Sequence, residues 1–129
     1  MLFRSVNIKR DYTWLSLGNG VYTSALFEDS WEQPILKAKE GNIYRLPDCL
    51  TKGYPIEFTL SEDGQSLEKW DIQATGYDKT NYGMLYFKPA SMTRSGNVLS
   101  FNMQGLVQNE GKWGVLYKNF TETLEFPAE

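Results

Sequence analysis

Residues 55–75, PIEFTLSEDGQSLEKWDIQAT, alternate apolar and polar side chains on both sides of a glycine. Ile56, Phe58 and Leu60 fall on one face, and Glu57, Thr59 and Ser61 on the other. Trp70, Ile72 and Ala74 oppose Asp71, Gln73 and Thr75 in the same way. A period of two belongs to a strand, because successive side chains of extended backbone point to opposite faces. Asp63-Gly64 supplies a tight-turn dipeptide between the two runs. The pattern predicts a hairpin of 55–62 and 67–75 with one buried and one solvated face.

Similar runs fill the chain. TWLSL and VYTSALF flank Gly18-Asn19-Gly20, and ILKAK and IYRL flank Glu40-Gly41-Asn42. GMLYFK precedes the turn-rich PASMTRSGN; VLSFNMQG then puts Leu99, Phe101 and Met103 together, and KWGVLYKN and TETLEF follow, the last with Leu124 and Phe126 on one side. The expected fold is all-β, an antiparallel β-sandwich or β-barrel of about 8–10 short strands. Residues 12–129 read as a single β domain, and 1–11 as an N-terminal lead-in or linker. Pro34, Pro47, Pro55, Pro89 and Pro127 are placed at the edges of runs, where a missing N–H removes no ladder bond. Trp14, Trp70 and Trp113 sit in strand-like runs and are assigned to the core. Residues 24–34, SALFEDSWEQP, are the least regular and predict a short helical turn or a wide loop.

Composition narrows the chemistry. Thirteen basic and sixteen acidic residues give a net charge of −3, against the basic stripe of a nucleic-acid binder and against binding to an anionic membrane. No apolar run approaches the ~18 residues of a spanning helix, so no direct membrane insertion is expected. The chain has no histidine, which removes Ser-His-Asp and Cys-His catalysis within it and the commonest metal ligand. Cys49 is the one cysteine; with Asp48 rather than a cation beside it, it reads as a small buried hydrophobe. No cofactor and no metal site are expected.

Gly18-Asn19-Gly20 opens like a dinucleotide loop, but Thr23 stands where the third glycine would be, and Val21-Tyr22-Thr23 favours a strand over a helix. A hairpin corner with positive φ at Gly or Asn is the expectation there. Glu28, Asp29 and Glu32 are the most plausible place for a carboxylate-dependent glycoside hydrolase or a calcium ion, although acidic loop residues are usually just solvated. The aromatic residues outside the clean runs matter more. Trp31, Tyr54, Tyr77 and Tyr82, with Asp78 and Asn81 among them, combine flat rings with short polar groups, the mixture that a sugar-binding surface needs. The competing reading is that these rings cap the ends of the core.

The order of pieces also resembles a family. YTWLSLGNGVYTSALF, YRLPD, GYPIEFTLSEDG and IQATGY together resemble the β-rich domains of Bacteroidetes cell-surface lipoproteins. The matching positions are Trp14, Leu17 to Tyr22, Tyr44-Arg45-Leu46 and Gln73-Ala74-Thr75-Gly76. The resemblance implies an extracytoplasmic, non-catalytic binding module, held at the cell surface by an anchor outside this sequence. Its partners would be a glycan or surface polymer and other domains of the same lipoprotein. The alternatives are a structural spacer or assembly domain, and a cytoplasmic location. PDCLTKGY replaces the Asn-Pro-Tyr expected after Tyr-Arg-Leu, so the resemblance assigns no site residues.

Overall fold

The computed structural model describes residues 12–127; the lead-in assigned to 1–11 lies outside them, as do 128 and 129. The strands are β1 (Trp14–Ser24), β2 (Asp29–Ala38), β3 (Ile43–Leu46), β4 (Ile56–Leu60), β5 (Leu67–Lys69), β6 (Gln73–Ala74), β7 (Tyr86–Ser95), β8 (Val98–Asn109) and β9 (Lys112–Glu125). They form one antiparallel sheet in the order β5-β4-β3-β2-β1-β9-β8-β7-β6, which is not closed. The all-β expectation therefore holds, as a single sheet rather than the two of a sandwich. Two meanders, β1–β5 and β6–β9, join where Val21–Ser24 pair with Glu122–Glu125.

The sheet rolls until its two halves meet face to face. Phe58 of β4 lies 5.6 Å, centroid to centroid, from both Trp70 and Phe101 of β8, and Trp70 is 5.2 Å from Phe101. Tyr44 stacks on the other side of this group, 5.5 Å from Phe58. Each such pair contributes about 0.5–1.5 kcal/mol beyond its buried area. Trp70 also donates from Nε1 to the Phe87 carbonyl at 3.1 Å, so its one polar group is satisfied in the interior.

Several sequence expectations change here. The 55–62/67–75 hairpin forms, but its second strand ends at Lys69, and Gln73–Ala74 pair with β7 instead. Residues 70–72 carry the chain between the two edges of the sheet. The Gln73 side chain then spans the gap. Its Nε2 donates to the Glu57 carbonyl and its Oε1 accepts from the Glu57 N–H, both at 2.7 Å. A side-chain amide thus takes the part of a neighbouring strand's peptide at the seam.

Gly18-Asn19-Gly20 is not a corner. β1 continues through it without a break in pairing to β2 beyond a register shift between Ser16 and Gly18, where Gly18 adopts φ +95°. Gly20 is needed for a different reason: a Cβ there would collide with the Glu125 carbonyl oxygen and lie 2.7 Å from Ile35 Cδ1. The glycine pair lets β1 kink and then approach β9. Residues 24–34 hold neither a helix nor a wide loop; 25–28 make a tight turn and β2 begins at Asp29.

Pro34 and Pro89 lie inside β2 and β7, not at run ends. Pro34 precedes the first β2–β3 pair at Leu36, and Pro89 lies beyond the last β6–β7 pair, Gln73 with Phe87, at a bulge before Ser91. Each strand has lost its outer neighbour at its proline, so the edge exists in space rather than in the sequence. Trp113 is also not core: it is 45% exposed on the far part of β9, packed edge-on against Tyr86.

Candidate functional site

One end of the rolled sheet collects the 25–28 turn, the 47–55 connection and the segment from Thr75 to Leu85. The other end collects the turns at 39–42, 61–66 and 96–97. At the first end, Tyr22 and Ser24 occupy inward positions of β1, and Glu122 faces Ser24 from β9.

Glu122 is fully buried. Its carboxylate accepts from Tyr22 Oη at 2.8 Å, Ser24 Oγ at 2.9 Å and the Leu26 N–H at 3.4 Å. Burial raises its pKa, and these hydrogen bonds offset only part of the rise. Ser24 Oγ also accepts from the Phe27 N–H at 3.0 Å. The buried carboxylate and hydroxyl therefore shape the 25–28 turn and place Phe27. Burial, reinforced by Cys49 and Glu122, pushes the Tyr22 phenol well above its ordinary pKa, so it remains a donor.

Trp31 pairs across the strands with Tyr22 and stacks on it, 5.2 Å between centroids and 26° between planes. Its Nε1 donates to Gln33 Oε1 at 3.2 Å, which fixes the indole edge. Tyr77 meets Phe27 edge-on at 5.2 Å. Its backbone is pinned where its N–H donates to Thr75 Oγ1 and its carbonyl accepts from Leu85 N–H.

Phe27, Trp31, Leu50 and Tyr77 supply the apolar walls of a pocket of about 280 Å³, and Asp29, Thr51 and Cys49 the rest of its lining. Burial, with Glu122 nearby, raises the Cys49 thiol far above its ordinary pKa. The thiol therefore stays protonated and acts as wall rather than nucleophile, in keeping with the small buried hydrophobe expected from the sequence.

Gly76, at φ +88°, explains the spacing Gln73-Ala74-Thr75-Gly76. A Cβ there would fall against the Thr51 side chain and 2.6 Å from Tyr54 Cδ1. Thr75 Oγ1 donates to the Leu85 carbonyl at 2.9 Å inside the fold. Thus the Gln73 side chain ties β4 at the seam, Thr75 ties Leu85 just before β7, and Gly76 admits the 47–55 connection.

Of the residues singled out from the sequence, the fold brings Trp31 and Tyr77 into one pocket and sets Tyr54 beside it, across Gly76. Asn81 and Tyr82 lie outside the pocket on an exposed turn closed by a Thr80–Gly83 bridge, and exposed Asp78 just before it. Glu28, Asp29 and Glu32 are exposed, and no three metal-ligating side chains gather among the described residues. Leu50 and Thr51 come from a connection that alternation does not describe, and Phe27, read at the end of the VYTSALF run, instead leaves the strand in the 25–28 turn. Glu122 left a signal: it stands two residues before inward-facing Leu124, so TETLEF already put a carboxylate on the buried face. Comparison with known protein families, with curated proteins and with solved structures finds no match to this chain.

Proposed function

We propose that this chain is a non-catalytic binding module and that the Trp31–Tyr77 pocket seats one ring of a carbohydrate or surface polymer. The observation that carries this reading is the Trp31 ring, backed by Tyr22 and open to a cavity whose polar lining is Asp29 and Thr51. A sugar ring needs an aromatic face for its C–H groups and a few fixed acceptors for its hydroxyls. At about 280 Å³ the pocket lies at the small end of ligand sites, so it suits a single ring or a chain terminus better than a long glycan. In the resemblance to cell-surface lipoprotein domains, this would be capture outside the cell, with the anchor supplied elsewhere.

Tryptophan fluorescence during titration with soluble glycans tests the reading. Trp31→Ala and Tyr77→Ala should abolish the response or weaken binding at least about tenfold, while Tyr82→Ala and Asn81→Ala should leave it near the parent value. Unchanged fluorescence across a glycan panel, with equal retention of the Trp31 and Tyr77 variants on immobilised glycan, would falsify it.

A second reading, an assembly domain of a larger surface protein, is favoured by one observation. Trp113, Val115 and Tyr117 are exposed at alternate positions of β9, in the part that β1 does not cover. Concentration-dependent association lost in a Trp113→Ser/Val115→Ser variant would support that reading.

A further inference from the structure

The opposite end of the rolled sheet holds a second cavity, of about 370 Å³, between Leu17, Phe126 and Pro127 on one side and Lys37, Tyr44, Arg94 and Asn97 on the other. Its two cations are unusual in their direction. Lys37 lies two residues after fully buried Ile35 and pairs across the strands with buried Tyr44, which puts it on the inward face of β2. Arg94 pairs with fully buried Leu99 and so faces inward from β7. Both are half-buried, so water solvates part of each charge, and an anion that displaces this water would supply a counter-charge. Among the described residues, neither cation forms an ion pair with a carboxylate, although the chain as a whole carries a net charge of −3.

Their present partners are neutral. Lys37 Nζ donates to the carbonyls of Gly41 at 3.0 Å and Ala38 at 3.3 Å. Arg94 donates from Nε to the Gly96 carbonyl at 2.9 Å and from Nη1 to the Gly64 carbonyl at 2.8 Å, with its guanidinium 5.4 Å from the centre of the Phe126 ring. An ammonium has three N–H donors and a guanidinium five, so both groups keep donors for a ligand.

A second observation points the same way. The ring of Tyr44 is buried against Phe58 and Phe126 and lines the cavity, while its hydroxyl makes no hydrogen bond to the described residues and is open to the solvent that fills the cavity. Burial lifts its pKa while Arg94 draws it down, so the phenol is a proton donor at neutral pH. The Asn97 amide adds a further donor at the rim. Among the described residues the polar lining is therefore rich in donors and holds no carboxylate, and Leu17, Phe126 and Pro127 form an apolar wall opposite.

We infer that this cavity is an anion site, taking a small organic anion whose carboxylate or phosphate head lies between Lys37, Arg94 and the Tyr44 hydroxyl and whose ring or aliphatic body rests on Phe126 and Leu17. Each cation is held by two backbone carbonyls, the kind of preorganisation that makes charge-assisted hydrogen bonds selective. The site is at the far end of the sheet from the Trp31 pocket and does not depend on it.

Amide chemical shifts of the whole chain, followed during titration with cyclohexanecarboxylate, cyclohexyl phosphate and cyclohexanemethanol, test the inference. Either anion should shift Lys37, Tyr44, Asn97 and Phe126, and whichever binds more tightly identifies the head group. The uncharged alcohol should leave those signals in place at the same concentration. Lys37→Met should weaken the anion about tenfold to a hundredfold, as loss of a hydrogen bond to a charged group does, and Tyr44→Phe should weaken it less.

Arg94 also holds the 61–66 turn through Gly64, so Arg94→Lys, which keeps the charge, accompanies these variants, with thermal unfolding as the check on folding. Trp31→Ala should leave anion binding as it was. Equal shifts from the alcohol, shifts mapping to another surface, or parental affinity in a folded Lys37→Met variant would each overturn the inference.

Discussion

Gln73 offers the sharpest test of how the open sheet holds its shape. Substituting Met keeps the length of the side chain and removes both 2.7 Å hydrogen bonds to Glu57. Each intramolecular bond of this kind contributes about 0.5–1.5 kcal/mol net, and a buried group left unsatisfied costs about 1–3 kcal/mol. Glu57 is only half-buried, so water reaches part of the seam and the lower half of that range applies. With two groups stranded at about 1–2 kcal/mol each, Gln73→Met should destabilise the fold by about 2–4 kcal/mol, a large share of the roughly 5–15 kcal/mol typical of a single domain.

Urea unfolding followed by tryptophan fluorescence reads this value, with Trp70 reporting beside the seam. Hydrogen exchange at the Glu57 amide reads the same event locally and should accelerate. Gln73→Glu separates the two bonds: its carboxylate can still accept from the Glu57 N–H but opposes the Glu57 carbonyl. Its stability should recover as acid protonates the carboxyl and restores a donor. A Gln73→Met protein within about 0.5 kcal/mol of the parent, with unchanged exchange at Glu57, would refute the idea that the side-chain amide closes the sheet.

Glu122 should make stability depend on pH in a defined direction. Its folded-state pKa is raised above the ordinary value of 4.5, so its contribution is full below that value and is lost as pH rises through the raised one. The stability of the parent relative to Glu122→Gln should fall across that window in denaturant titrations at stepped pH. Glu122→Ala, which strands the donors of Tyr22, Ser24 and Leu26, should cost about 3 kcal/mol or more at any pH. Gly20→Ala should destabilise by at least about 1–3 kcal/mol, since a methyl there meets the Glu125 backbone as β9 crosses. Gly114→Ala meets nothing within 4 Å and should stay within about 0.5 kcal/mol in the same melts.

Period-two alternation determined the all-β class, and it placed Ile56, Phe58, Leu60, Leu99, Phe101, Met103 and Leu124 on the buried face, because side-chain direction in a strand follows from the backbone alone. It also held the clue to Glu122, which shares the phase of Leu124. Asp63-Gly64 and Glu40-Gly41-Asn42 marked their turns correctly, since a tight reversal depends on local φ preferences. Other features needed the neighbours in space. Gly18 and Gly20 carry the same residue type as a hairpin corner, but only the passage of β9 beside β1 shows that one is a bulge and the other a point of close approach.

Pro34 and Pro89 are tolerated because the adjoining strands stop short of them, and strand length in a neighbour is not written at the proline. Trp113 alternates like a core residue and is exposed because β9 outruns β1. The two cavities depend most on tertiary structure. Trp31 and Tyr77 meet through a turn shaped by buried Glu122 and a glycine, and Lys37 and Arg94 converge from strands more than fifty residues apart. Alternation tells each side chain which face it takes; only the rolling of the sheet decides which faces meet.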